Sequence, residues 1–311
     1  MRSASLRGNK SIEHDLLHEH RTAKSVADTS SEDSSGKSPQ IFQNEDSFRK
    51  KQNYYALKKL RLDLPEKRML DGAINLAKEG IILSALSHEN IIILHGLSKL
   101  GLRDTFLVLE RLEDTLNQMI VEWRSSLAES KVMSNRSTYK TIKLEALTLR
   151  QDALSQIASG LKYLHSHNIV YRDLKPANIG FDINGQYKIF DFGLATEFKE
   201  EDKIGPDTYI ADRNVGTRRY MAQEVYYGNV YGLSADVYSF GILAWEVLAL
   251  EVPFKDCDVV AHERYVYRKK RRPRMKPYWS IELKQLLQSC WLHEPSNRPT
   301  MADVYTSLSV K

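Results

Sequence analysis

Polar positions dominate the first fifty residues, where serine, glutamate, aspartate, lysine and histidine are frequent and aromatic residues scarce. Such a segment cannot bury enough apolar surface to offset the entropy of ordering it, so residues 1–50 are expected to form a disordered tail. At Tyr54 the pattern changes. The stretch "YYALKKL" (54–60) is aromatic and aliphatic until two lysines arrive, which predicts a strand. A polar stretch follows. Ala77, Ile81, Ile82, Ala85 and Leu86 then predict a helix from about Asp71 to Leu86. "NIIILHGLSKL" and "DTFLVLERL" read as two strands joined by a glycine-containing turn. Residues 124–145 are polar and serine-rich and are expected to form an insertion loop. Leu154, Ile157, Leu161 and Leu164 mark one face of an amphipathic helix, and 236–250 is apolar nearly all round, as a helix buried in a core would be. A small strand-rich part thus precedes a larger helical one.

Composition narrows the class. A chain of 311 residues, 42% of them hydrophobic, can build one large domain or two moderate ones. A net charge of +5 over this length does not by itself argue for nucleic acid. The two cysteines, Cys257 and Cys290, have no metal or redox spacing, which fits a reducing compartment. The N-terminus shows no apolar signal region. The longest apolar run, "SFGILAWEVLAL", contains Glu246 and is too short for a bilayer. A soluble intracellular protein is expected, in the cytoplasm first and the nucleus second, with no membrane partner.

Candidate chemistry concentrates in "YRDLKPANIGFDINGQYKIFDFG" (171–193). Ile169–Val170 and Tyr187–Phe190 read as short strands, and "DING" (182–185) as a hairpin turn, so the polar residues between sit on loops held by strands. Asn178 and Asp191 offer two oxygen ligands for a hard cation such as Mg²⁺. Asp173 could accept a proton, and Lys175 could neutralise a transferring phosphoryl group. Positioning, metal and base are the parts that phosphoryl transfer needs.

"RDLKPAN" followed by "DFG" resembles the catalytic and metal loops of eukaryotic protein kinases. Other marks follow in order: "YALK" for the third-strand lysine, Glu79 at the spacing of the C-helix glutamate, "GTRRYMAQE", "DVYSFGILAWEV" and "CWLHEPSNRPTM". The resemblance covers 54–311. It implies an α+β, two-lobed kinase fold over 51–311, with an N-lobe of about 51–112 and a C-lobe of about 113–311. It also implies ATP as substrate, Mg²⁺ as cofactor and proteins as partners. By the same resemblance Lys58 would hold the α- and β-phosphates and Glu79 would pair with it. Asp173 would orient or deprotonate the acceptor hydroxyl, Lys175 would stabilise the γ-phosphate, and Asn178 and Asp191 would bind Mg²⁺. Leu109 would be the gatekeeper, Glu110 to Leu112 the hinge, and Asp114 a ribose contact. Lys175 and Thr217 point to a serine/threonine kinase, similar to the tyrosine-kinase-like group. Thr208, Tyr209 and Thr217 lie where regulatory phosphorylation occurs, with Arg172 placed to pair with a phosphate. Glu224 with Arg298, and Asp236 under the catalytic loop, would be structural.

The sequence departs from the family pattern at four places. Tyr171 replaces a histidine, and "AQE" replaces "APE". Gly180 stands where an aliphatic side chain usually forms the adenine floor. The only glycines before Lys58 are Gly8 and Gly36, so the glycine-rich phosphate lid is missing. Either the first two strands are divergent or the sequence begins inside the domain. Two other readings therefore stand beside the enzyme. One is a pseudokinase scaffold or allosteric partner. The other is a nucleic-acid-binding module on the basic run 268–276, whose plainer reading is a solvated loop.

Overall fold

The computed structural model describes residues 55–60, 63, 65–98, 105–212, 214–228 and 230–309. The expected tail, the stretch where a glycine-rich lid would precede Lys58 and the turn between the second and third strands lie outside them. Strand β1 (Tyr55–Lys59) is followed by helix α1 (Glu66–Ser84), β2 (Leu94–Leu97) and β3 (Phe106–Glu110). The three strands form an antiparallel sheet in the order β1-β3-β2, with Lys58 opposite Leu107 and Ala56 opposite Leu109. The helix begins five residues earlier than its apolar stripe predicts, directly after Pro65, whose fixed φ suits the entry to a helix. Its inward face also differs. Leu76, Glu79, Gly80 and Leu83 are buried, whereas Ile81 is 60% exposed. Gly80 packs against Leu107 and Leu97 of the sheet. A glycine and a glutamate on the buried stripe gave no hydrophobic signal, so the pattern pointed one residue too far round.

The larger part is mainly helical. After the short β4 (Asp114–Thr115) come α2 (Leu116–Met133) and α3 (Arg136–Ser166). The polar stretch 124–145, expected as a loop, is therefore helical except around Ser134–Asn135. It contains no glycine or proline to stop a helix, and Trp123 and Leu127 give α2 an apolar side packed on the core. Asn135 caps α3 by accepting hydrogen bonds from the Ser137 and Thr138 amides. Strands β5 (Ile169–Val170), β6 (Ile179–Phe181), β7 (Tyr187–Ile189) and β8 (Thr196–Glu197) hold the loops between them. β6 pairs with both β4 and β7, and β5 with β8. A second antiparallel sheet combines β9 (Lys203–Gly205) and β10 (Thr208–Ile210) with β11 (Val230–Tyr231), which follows α4 (Gln223–Tyr227). Helix α5 (Ser234–Ala249) is buried from Ala235 to Leu248, as its sequence predicts, including Asp236, Ser239 and Glu246. α6 (Val259–His262), α7 (Ile281–Cys290) and α8 (Met301–Ser309) close the domain. No helix among the described residues is long and apolar enough to cross a membrane.

His262 at the end of α6 is buried, and neither ring nitrogen has a hydrogen-bond partner among the described residues. Phe254 and Tyr267 pack on it with ring centroids 5.3 and 4.9 Å away. Burial first, then the charges of Arg218, Arg219 and Arg272, push its imidazole down from 6.5 to about 4. The unfolded chain, titrating near 6.5, takes up this proton first. The contribution to stability is thus complete above that pH and lost as pH falls towards 4, to a total of roughly 3 kcal/mol. Urea unfolding across pH 4 to 7 should show wild type losing about that much stability relative to His262→Phe, with no divergence above pH 7.

Candidate active site

Between the sheet and the helical part, Lys58 Nζ donates to Glu79 Oε2 and to Asp191 Oδ1, each at 2.6 Å. Glu79, 1% exposed, also accepts the Phe192 amide at 3.2 Å. Lys58 is no solvated strand end: its two carboxylates outweigh its burial and hold the ammonium above its ordinary range. Burial pushes the Glu79 carboxyl up, against the pull of Lys58. Phe192 is fully buried and meets the Tyr171 ring edge-on at 5.3 Å. The Tyr171 hydroxyl donates to the Phe190 carbonyl, so tyrosine fills the histidine's place both by packing and by a hydrogen bond.

The loop between β5 and β6 carries Asp173, 3% exposed. Its Oδ1 accepts from the Thr217 hydroxyl at 2.6 Å, and its Oδ2 accepts from Asn178 Nδ2 at 2.9 Å and Lys175 Nζ at 2.8 Å. Lys175 also donates to Thr217 Oγ1 at 3.1 Å. Thr217, read from sequence as a substrate-class mark and a phosphosite, is thus a partner of the Asp173 carboxylate. Gly216 brings it there. At φ 105°, a Cβ on Gly216 would lie 2.2 Å from the Arg172 carbonyl oxygen, so only glycine allows the two segments this close. Beneath the loop, Asp236 accepts the amides of Tyr171 at 2.7 Å and Arg172 at 2.9 Å and lies 3.1 Å from His165 Nε2. Arg172 is held at φ 70°, a strained conformation outside glycine.

The remaining site expectations divide. Leu109 is buried in β3. Glu110 is committed to Lys188 at 3.2 Å and to the Ile93 amide at 2.7 Å. Asp114 is exposed, with its Oδ1 on the Thr115 amide at 2.6 Å. Leu112 supplies what Gly180 lacks. Its Cδ1 lies 2.5 Å from where a Gly180 Cβ would stand, and the Asp114 carbonyl lies 3.1 Å from that point. The space that a side chain at position 180 would occupy is thus taken by Leu112. Gln223, in place of proline, donates to the His293 carbonyl at 3.0 Å, and Glu224 forms a forked pair with the buried Arg298.

Of the three phosphosite expectations, Thr208 is half-buried and its hydroxyl donates to the Pro206 carbonyl. Tyr209 is 5% exposed and stacks flat on Phe198 at 4.4 Å, so its modification would require the ring to leave that stack. Arg172 lines a neighbouring cavity of about 590 Å³ and donates to the Leu194 carbonyl and the Tyr231 hydroxyl. The basic run 268–276 is tied to the fold. Arg268 pairs with Glu263 at 2.7 Å and Lys276 with Glu251 at 2.6 Å, while Arg272 donates to the Trp291 and Val266 carbonyls.

Among the described residues there is no group of three or more His, Cys, Asp or Glu that could hold a metal ion. Asn178 and Asp191 flank Asp173 and Lys58 and supply oxygen donors of the hard type. Mg²⁺ typically takes one or two protein ligands and completes its shell from phosphates and water, so this donor set fits it.

A strand lysine paired at once with a helix glutamate and a loop carboxylate, between a small sheet and a helical lobe, is the arrangement of a protein kinase domain. Residues 35–308 match the family described as the protein kinase domain, and the chain belongs to that family. It is 36% identical over 174 residues to the dual specificity protein kinase shkD of Dictyostelium discoideum, covering 55% of this chain and 22% of that one. It is 33% identical over 153 residues to the serine/threonine-protein kinase STY17 of Arabidopsis thaliana, covering 49% of this chain and 26% of that one. The chain thus spans about a quarter of the length of these curated relatives.

Proposed function

We propose that this chain transfers the γ-phosphate of ATP to serine and threonine hydroxyls of proteins. The observation that carries this is the joint state of the two networks: Lys58 bound to both Glu79 and Asp191, and Asp173 held by Thr217, Lys175 and Asn178. Lys58 would grip the nucleotide phosphates, and Asp173 would accept the proton of the attacking hydroxyl. Lys175, 2.8 Å from Asp173, would stabilise charge on the group in transit. Asn178 and Asp191 would hold Mg²⁺, which supplies charge neutralisation on the phosphate oxygens. Serine/threonine preference rests on Lys175 and Thr217, and relatives carrying serine/threonine and dual-specificity names agree with it. The pseudokinase alternative rests on the missing glycines before Lys58, since Leu112 fills the space above Gly180.

The test is direct. Given Mg²⁺ and ATP labelled at the γ-phosphate, the purified chain should label serine or threonine in itself or in an added protein, and EDTA should stop it. Label no higher than the EDTA blank would overturn the reading, and label confined to tyrosine would overturn its acceptor class.

A further inference from the structure

A second cavity, of about 530 Å³, lies where the C-terminal end of α5 meets α2 and α3. Arg124, Lys143, Arg150, Arg219 and Lys255 line it. The one acidic lining residue, Glu251, is taken by Lys276 at 2.6 Å. Arg150 is the telling member. It is 2% exposed, its Nε has no hydrogen-bond partner, and no described residue forms an ion pair with it. A buried guanidinium without an anion is costly, and it is ordinarily paired. Here it sits on the buried stripe of α3 between Leu147 and Leu154, where an aliphatic residue would pack without that cost. Lys143 adds to the imbalance: its ammonium stands 3.6 Å from the Tyr278 ring centroid, and burial, with Arg150 next, pushes its pKa down. Glu246, which also accepts the Tyr220 hydroxyl at 2.6 Å, offsets part of this charge from one side, since it feels Arg219 and Arg124, and leaves Arg150, Lys143 and Lys255 as the excess.

The position of the cavity says what would enter it. Arg219 is two residues after Thr217, which touches the catalytic Asp173, so the basic wall begins within about 7 Å of chain from the active site. We infer that this cavity binds an anionic side chain, carboxylate or phosphate, of the peptide being phosphorylated, with Arg150 as its buried anchor and Arg219 and Lys255 at its mouth. The inference rests on the kinase reading above. It gives that reading a substrate class: proteins whose acceptor serine or threonine lies near acidic or already phosphorylated residues.

Binding without nucleotide separates the two claims, because it is measured whether or not phosphate is transferred. Fluorescent serine peptides identical except for flanking glutamates, phosphoserines or lysines are titrated into the whole chain and followed by anisotropy. The glutamate or phosphoserine peptide should bind about tenfold or more tighter than the lysine peptide. Inorganic phosphate should compete with it. The difference should shrink to under threefold in Arg150→Met and in the double variant of the half-buried Arg219→Ala with the exposed Lys255→Ala. Arg150→Met should melt no lower than wild type, because it removes an unpaired buried charge. If that variant does not fold, the double variant carries the test. Which of the two anionic peptides binds better decides between carboxylate and phosphate as the preferred group. Equal affinities for all three peptides, a preference that survives the double variant, or phosphate binding without any peptide preference would each overturn the assignment.

Discussion

Asp173→Asn is expected to lower phosphate transfer by roughly 10²- to 10⁴-fold, the usual range for losing a positioned general base. The substitution isolates chemistry from folding. In the wild type one carboxylate oxygen accepts from Thr217 and the other from Lys175 and Asn178. Asparagine can present its carbonyl oxygen to Lys175 and Asn178 and turn its amide towards Thr217, whose hydroxyl can accept as well as donate. The network therefore survives, and the melting temperature should stay within about 3 °C. What disappears is the negative charge and the capacity to take a proton. Asp173→Ala, by contrast, strands three donors and should cost stability as well as rate. A side-by-side measurement of transfer rate, nucleotide affinity and melting temperature separates these effects. If Asp173→Asn kept more than a tenth of the wild-type rate, Asp173 would not be the base.

The largest effect on stability is expected at Asp236. This fully buried carboxylate accepts two backbone amides and adjoins His165, and it holds Arg172 in its left-handed conformation. Asp236→Ala leaves both amides unpaired in the core, at about 3–5 kcal/mol in all, and should lower the melting temperature by roughly 10 °C. Asp236→Asn keeps one acceptor and places an amide opposite the other N–H, so about half the loss should remain. Transfer should fall in both variants even at temperatures where they stay folded, because the loop carrying Asp173 loses its anchor. Equal melting of Asp236→Ala and wild type would remove the anchoring role.

Much of this site was legible because its chemistry is local in sequence. Asp173, Lys175, Asn178 and Asp191 fall within 171–193, and the strands that present them are short and apolar. Lys58 and Glu79 were readable by spacing, and the structure joins them at 2.6 Å. What stayed hidden depended on space rather than on residue type. Gly80 carries no side chain to mark the face that α1 buries, so Ile81 drew the reading outward. Residues 124–145 look like a loop by composition, but without glycine or proline their many polar groups can line exposed helix faces. That Leu112 fills the room above Gly180 is a matter of two chain segments meeting, which spacing does not reveal. Arg150 left a usable trace, a lone charge at the helical interval from Leu147 and Leu154 on an otherwise apolar face.

Gly216 and Thr217 have one more consequence. The hydroxyl that steadies Asp173 belongs to the segment that packs against the Arg172–Asp173 loop, and its bond is 2.6 Å long. A shift of that segment by an ångström breaks the bond and, with it, Lys175's second contact. The seating of the segment and the orientation of the Asp173 carboxylate are therefore a single degree of freedom: the molecule cannot mislay one and keep the other.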